Sequence, residues 1–364
     1  MKIEILSKKI VLNNPDSMHG YSAWPTVVRL QNGRLAMVAS AFRINHICPF
    51  GKCVISYSED EGKTWSLPAP VIDTLLDDRD GGIAAFGEND VIVTSFNNTV
   101  EFQREMAGRT AAHCASKHRT YVDGYLDVVE EYDWKKYLGS LYRISHDGGI
   151  TFGEIHKIPV TCPHGPTALP DGSLIYIGNQ FFADESLPKS DKHLACYKVY
   201  ADGRNEFLSE IENVANDLNS YEPYAIALDD KNILVHIRVE GREKSVFTIY
   251  QSESHDGGKT FTKPHQILLD RGGAPAHIIQ DGEMLISTYG YRDEPYGIRV
   301  MFSEDNGKTW DTDNILVDDG INWDIGYPAS VVLKDGSILT VYYARTEKKE
   351  PSVIMQVIWN YKKS

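Results

Sequence analysis

Ser303-Glu304-Asp305-Asn306-Gly307-Lys308-Thr309-Trp310 fits the pattern S-x-D-x-G-x-T-W/F, and the chain repeats it at Ser58–Trp65, Ser145–Phe152 and Ser254–Phe261. A reduced copy stands at Tyr200-Ala201-Asp202-Gly203. These residue types dictate a turn. Asp accepts hydrogen bonds from the backbone N–H groups that follow it. Gly supplies the positive φ of a hairpin tip. Thr and the aromatic open the next strand, with the ring packing between sheets. Four Asp residues at equivalent turns therefore read as turn builders, not as catalytic groups.

A second, apolar hairpin, L-x-D/N-G-x-L/I, is interleaved with the first. Its copies begin at Leu30, Leu169, Ile279 and Leu333, with weaker ones at Phe86 and Leu228. The six starts are 51 to 83 residues apart. Several short strands per unit at such a period predict an all-β, six-bladed β-propeller. The longest gap holds extra chain at about 97–136, where the pattern turns partly helical. It is read as an insertion in blade two, at a rim or lid. No linker divides the chain, so residues 1–364 are expected to form one domain.

Composition narrows the function. Lys and Arg number 37 against 51 Asp and Glu, a net charge of -14. Such a chain is a poor partner for phosphate backbones or anionic lipid, so no nucleic-acid or membrane partner is expected. No apolar run approaches the roughly 20 residues that span a bilayer, and MKIEILSKKIVLNN lacks the apolar core of a secretory signal. Five scattered Cys argue against a disulfide framework. These features predict a cytoplasmic protein. His46, Cys48 and Cys53 have no companion cluster at zinc spacing, so no metal is expected. No glycine-rich phosphate loop or nucleotide fingerprint occurs, so no cofactor is expected.

In a propeller the innermost strands start at the central channel, and the residues just before each apolar hairpin converge there. Proline marks this place at Trp24-Pro25, Gly165-Pro166, Glu222-Pro223, Ala274-Pro275 and Tyr327-Pro328; proline suits a strand start, where no ladder N–H is lost. Blade two offers Asp78-Arg79-Asp80-Gly81-Gly82 instead. Flanking residues are Trp24, Arg79, Asp80, His164, Glu222, His277, Asp324 and Tyr327. The next strands end near Arg43, Asn97, Asn179, Gln180, Arg238, Tyr291, Arg292 and Arg345. Together they predict a polar pocket with a cationic element.

The turn boxes resemble the Asp-boxes, or BNR repeats, of the sialidase superfamily. EPYAIALDDKNILVHIR (Glu222–Arg238) resembles the stretch that carries the glutamate partner of the nucleophile and a carboxylate-binding arginine. Tyr327, in GYPASVVLKDGSILTVYY, matches the position of the nucleophilic tyrosine, and Arg292, with Arg299 as competitor, matches another arginine of the triad. Two departures stand out. Ala23-Trp24-Pro25 replaces the Arg-Ile-Pro of the first blade, and Arg43-Ile44-Asn45-His46-Ile47-Cys48 has no carboxylate where the acid/base aspartate is expected.

The resemblance implies an exo-acting glycoside hydrolase that removes a terminal sugar, acidic sugars among the candidates, from an oligosaccharide. Tyr327 would attack the anomeric carbon and Glu222 would take its proton. Arg238 and Arg292 would hold an anionic substituent, with Arg43, Arg79 and Gln180 as further binding residues. His46, His164 and Asp80 are the candidates for protonating the leaving group, and Trp24 for an apolar sugar platform. Two alternatives stand beside this reading: a lyase acting on uronic acids, and a glycan-binding propeller without catalysis.

Overall fold

The computed structural model describes residues 1–109, 118–180, 194–242, 246–269, 272–348 and 350–363. Six four-stranded antiparallel sheets make up the fold. The first blade is β2 (Tyr21–Arg29), β3 (Leu35–Arg43), β4 (Lys52–Ser58) and β5 (Ala69–Ile72). The second is β6 (Arg79–Phe86), β7 (Asp90–Phe96), β8 (Ser140–Ser145) and β9 (His156–Lys157). The third is β10 (Thr167–Ala168), β11 (Leu174–Gly178), β12 (Leu194–Val199) and β13 (Asn205–Ile211). The fourth is β14 (Leu218–Ala227), β15 (Ile233–Gly241), β16 (Phe247–Ser254) and β17 (His265–Gln266). The fifth is β18 (Gly273–Asp281), β19 (Met284–Tyr291), β20 (Gly297–Ser303) and β21 (Asp311–Val317). The sixth takes β22 (Gly326–Val332), β23 (Ile338–Arg345) and β24 (Ser352–Lys362) and borrows β1 (Lys2–Leu12) as its outer strand.

The inner strands β2, β6, β10, β14, β18 and β22 touch in that cyclic order and close on β2. The sequence expectation of a six-bladed propeller is met, and each apolar hairpin joins the first two strands of a blade. Middle strands lie between neighbouring blades, so both faces are buried and the sequence runs apolar without alternation, as in the fully buried stretch of β15 from Ile233 to Ile237. Outer strands are exposed along much of their length, as in β1. Two outer edges, β9 and β17, are only two residues long, which limits edge-to-edge pairing.

The turn boxes join the third and fourth strands of their blades. Ser58 Oγ donates to Asp60 (2.9 Å) and accepts the Gly62 N–H (2.8 Å), while Asp60 accepts the N–H (2.8 Å) and hydroxyl (2.7 Å) of Thr64. The same bonds recur at Ser145, Ser254 and Ser303. Each Asp carboxyl is held below its ordinary range, chiefly by the Thr hydroxyl. The aromatic then binds the preceding blade. Trp65 donates to Gln356 and Trp310 to Gln251, both at 2.8 Å.

The insertion leaves blade two between β7 and β8. It forms α1 (Val100–Arg109), α2 (Arg119–Val129) and a 3-10 turn at Trp134–Tyr137, with 110–117 outside the described residues. Val122, Leu126, Val129 and Trp134 bury against Leu76 and Val100. Tyr121 stacks on Phe50 at 4.7 Å. The β3–β4 loop that carries Phe50 also carries His46, so the insertion stands at the rim of the end where the polar residues collect.

Candidate active site

Every inner strand except the two-residue β10 breaks register at its start, between Ala23 and Thr26, Arg79 and Gly82, Tyr221 and Tyr224, Gly273 and Ala276, and Gly326 and Ala329. At these bulges Trp24 (53°), Asp80 (49°), Glu222 (45°) and Tyr327 (49°) have positive φ, as does Gly165 (79°) at the same place in blade three. A non-glycine residue held there costs about 1–3 kcal/mol. A bulge re-aims a side chain, and four of them turn residues from four blades toward one mouth. Blade two has Gly81 where the others have proline, and Gly82 follows where the backbones of blades two and three crowd. A Cβ on Gly82 would lie 2.4 Å from the Gly165 backbone.

The centre joins the fourth and sixth blades. Tyr327 Oη donates to Glu222 Oε1 at 2.6 Å. Arg238 Nη1 donates to Glu222 Oε2 at 2.5 Å and to Tyr327 Oη at 3.2 Å, and its other nitrogens hold Glu240. Burial works against the Arg238 charge, but Glu222, Tyr327 and Glu240 more than offset it and hold the guanidinium protonated. Burial and then Glu222 push the Tyr327 phenol well above its ordinary value. In the resting site it is a neutral donor aimed at a carboxylate.

Arg292 closes the group. It donates to the Ile325 carbonyl and the Tyr343 hydroxyl, both at 2.9 Å, and its guanidinium lies 5.5 Å from the Tyr327 ring centre. Arg299, its competitor in the sequence, is on β20 and donates to the Val317 and Pro295 carbonyls. Beside Arg292, Asp324 accepts from Tyr21 (3.1 Å), contacts His46 Nδ1 (3.1 Å) and accepts from Arg345 (3.4 Å). Burial alone would raise the Asp324 carboxyl, but His46, Arg345 and Arg292 hold it well below the usual range.

Three expectations are corrected. Arg43 cannot receive a ligand, because all five of its N–H groups are taken by Asn45, Ser40, His46 and both oxygens of Asp77, with Arg43 and Asp77 wholly buried. Trp24 offers no open face to a sugar. It is 1% exposed, with the Arg43 and Arg79 guanidiniums over its ring at 4.8 and 4.4 Å. His46 and His164 are neutral rings at neutral pH, so neither is an imidazolium that gives its proton to a leaving group. Burial lowers His46 to about 4 despite Asp324, and burial then His277 take His164 well below its ordinary value.

Gln180 stands at the end of β11, bonded to the Tyr197 hydroxyl at 3.3 Å, beside residues 181–193 that lie outside the described residues. Asp80 is 5% exposed, its Oδ1 has no hydrogen-bond partner among the described residues, and burial raises its carboxyl to about 7. Cys48 and Cys53 are buried thiols, Cys48 Sγ accepting the Ile44 N–H, and Cys114 lies outside the described residues. Among the described residues no three His, Cys, Asp or Glu side chains are grouped to hold a metal.

Two contributors escaped the sequence reading. Glu240 lies two residues beyond Arg238 on the same strand face, a period-two signal that was available. Tyr343 likewise lies two residues before Arg345.

The buried histidines make the fold acid-sensitive. His46 falls to about 4, His236 and His277 to about 3, and His164 well below its ordinary value, each chiefly by burial. Below pH 6.5 the unfolded chain binds protons that these folded histidines refuse, so stability falls with pH. Asp80 and Asp78, raised by burial to about 7 and about 6, act oppositely down to pH 4. Down to about pH 5, before the depressed carboxyls of the turn boxes and of Asp324 add to the loss, four histidines against two carboxyls leave a net of about two protons, roughly 3 kcal/mol per pH unit. Urea midpoints should therefore drop between pH 6.5 and 4; a flat or rising profile would contradict the burial of these rings.

The model of the BNR repeat-like domain matches residues 127–340. No curated protein matches the chain in sequence. Among solved structures, a protein of unknown function from Dyadobacter fermentans shares 17% identity over 99% of both chains, with a TM-score of 0.74. The NanB sialidase of Streptococcus pneumoniae shares 14% identity, covering 96% of this chain and 70% of its own, with a TM-score of 0.65. The Trypanosoma rangeli sialidase shares 14% identity over 97% of this chain and 58% of its own, with a TM-score of 0.62. At these identities the likeness to solved structures is one of fold, and the domain match covers more than half of the sequence. The chain belongs to the BNR repeat-like family, as a divergent member with the six-bladed sialidase fold.

Proposed function

We propose that this propeller is an exo-acting glycoside hydrolase for a terminal, acidic sugar. One observation carries the reading: the Tyr327 hydroxyl, 2.6 Å from Glu222 and 3.2 Å from Arg238, sits on a strained bulge at a channel mouth. A phenol attacks an anionic sugar without the repulsion a carboxylate nucleophile meets. Glu222 takes the proton as the C–O bond forms, which answers the high pKa of the buried phenol. Arg238 stays with Glu222 as the proton arrives and steadies the phenolate that leaves in the second step. Arg292, bonded only to neutral groups among its hydrogen-bond partners, holds the charged substituent.

The test is a panel of 4-methylumbelliferyl glycosides of sialic acid, uronic acids and neutral hexoses. Release of fluorophore from an acidic member, without the ultraviolet absorbance of an unsaturated uronide, is the expected result. Unsaturated product would assign the site to a lyase. Glycan binding with no turnover across the panel would assign it to recognition alone.

A further inference from the structure

The resemblance leaves blade one short of two functions, an arginine at the Trp24 position and a proton donor in the Arg43–Cys48 loop. The neighbouring blade holds both residue types at the same mouth. Arg79 places its guanidinium 4.4 Å from the centre of the Trp24 ring, against the residue that occupies the lost arginine's position. It is 8% exposed, its Nε has no hydrogen-bond partner, and no carboxylate pairs with it among the described residues. A buried arginine without an anion is costly unless a ligand supplies one. Asp80 follows at the same bulge position as Glu222 and Tyr327, with a similar positive φ, and its Oδ1 is buried and unpartnered among the described residues. Blades two, four and six alternate around the ring, so Asp80, Glu222 and Tyr327 approach from three directions.

We propose that the adjacent pair Arg79 and Asp80 of blade two supplies the functions missing from blade one, Asp80 giving the proton to the leaving oxygen and Arg79 binding the anionic substituent of the sugar. This rests on the glycosidase reading above. In the first step the Asp80 O–H proton passes to the glycosidic oxygen as its bond to the anomeric carbon breaks. The Tyr327 oxygen forms the new bond and its proton goes to Glu222. In the second step the Asp80 carboxylate takes a proton from water, and the hydroxide displaces Tyr327, which recovers its proton from Glu222. Atoms and charges return to their starting places, and water is consumed.

The surroundings suit the acid. Burial raises the Asp80 carboxyl to about 7, Glu222 and Asp77 acting with it and Arg79 and Arg43 against it. Its charge is also felt at Tyr327, Tyr343 and Cys162. The His46 and His164 rings nearby are neutral, so Asp80 alone of the three candidates is protonated near neutral pH.

Leaving-group dependence tests the acid. On the sugar that the panel identifies, Asp80→Asn should lose at least about a hundredfold on the natural disaccharide but no more than about tenfold on an activated dinitrophenyl glycoside. The alkaline limb of kcat/KM near pH 7 should vanish with it. Equal losses on both substrates, or none, would overturn the assignment while leaving the Tyr327 reading intact, because Tyr327→Phe must lose turnover whatever the leaving group. A substrate-free readout stands beside this. An infrared carbonyl band of a protonated carboxyl that appears as the pH falls through about 7, ahead of the Asp78 band near 6, and that Asp80→Asn lacks, is expected; its absence from the parent protein overturns the proposal. Arg79→Gln should raise KM about tenfold or more for the acidic sugar with kcat little changed, and leave the methyl ester unaffected. An equal rise for acid and ester, or no rise, removes Arg79 from anion binding.

Discussion

Tyr327→Phe is expected to lower turnover on the true substrate by at least about a hundredfold, and Glu222→Gln by a comparable factor. A hundredfold is about 2.7 kcal/mol of barrier. Phe keeps the ring that packs 6.3 Å from Trp24 and 5.8 Å from Tyr343, and removes only the oxygen that would bond to the anomeric carbon. Glu222 retains Arg238 as its partner, so no buried charge is orphaned and the thermal midpoint should hardly move. Gln in place of Glu222 keeps the shape and cannot accept the proton. Steady-state kinetics with a circular dichroism control measures both. Turnover within tenfold of the parent in both variants would remove Tyr327 and Glu222 from the chemistry.

Asp77→Ala should cost the fold about 3–5 kcal/mol, the range for a buried charge stripped of its partner. Arg43 and Asp77 are both fully buried, and Asp77 also accepts the Cys48 N–H at 3.2 Å and the Gln103 amide at 3.4 Å. One carboxylate thus ties the second strand of blade one, its mouth loop and the first inserted helix together. Chemical denaturation would read the loss, and a change below about 1 kcal/mol would mean that the charges are effectively hydrated. Replacing Arg43 and Asp77 together by Met and Leu should recover much of the stability, because no uncompensated charge then remains.

These two predictions divide what the sequence showed from what it hid. The propeller was legible because its signals are local. A Ser-Asp-Gly-Thr turn satisfies its own backbone within eight residues, and the copies at Ser58, Ser145, Ser254 and Ser303 do so identically. Glu222, Arg238 and Tyr327 were legible for a related reason, since they occupy equivalent places in repeats that must converge. Arg43 occupied such a place too, and only its partner 34 residues away decides that it is internal. Trp24 looked like an apolar surface, but two arginines from different strands cover it. The positive φ angles were hidden by residue type. The rule that such backbone calls for glycine holds at Gly165 and fails at Trp24, Asp80, Glu222 and Tyr327, where fold and site together overrule it.

The outer strand of blade six is β1, with Lys2 facing Lys362 across an antiparallel ladder. β1 thus waits, unpaired, until β24 has been made, and closure of blade six depends on pairing residues as far apart in sequence as Lys2 and Lys362. Because Lys362 and Lys2 are already neighbours in that ladder, a short turn could join them. Opening the chain between Leu12 and Tyr21 instead would make all six blades contiguous, and such a permuted protein should assemble its last blade as quickly as its first.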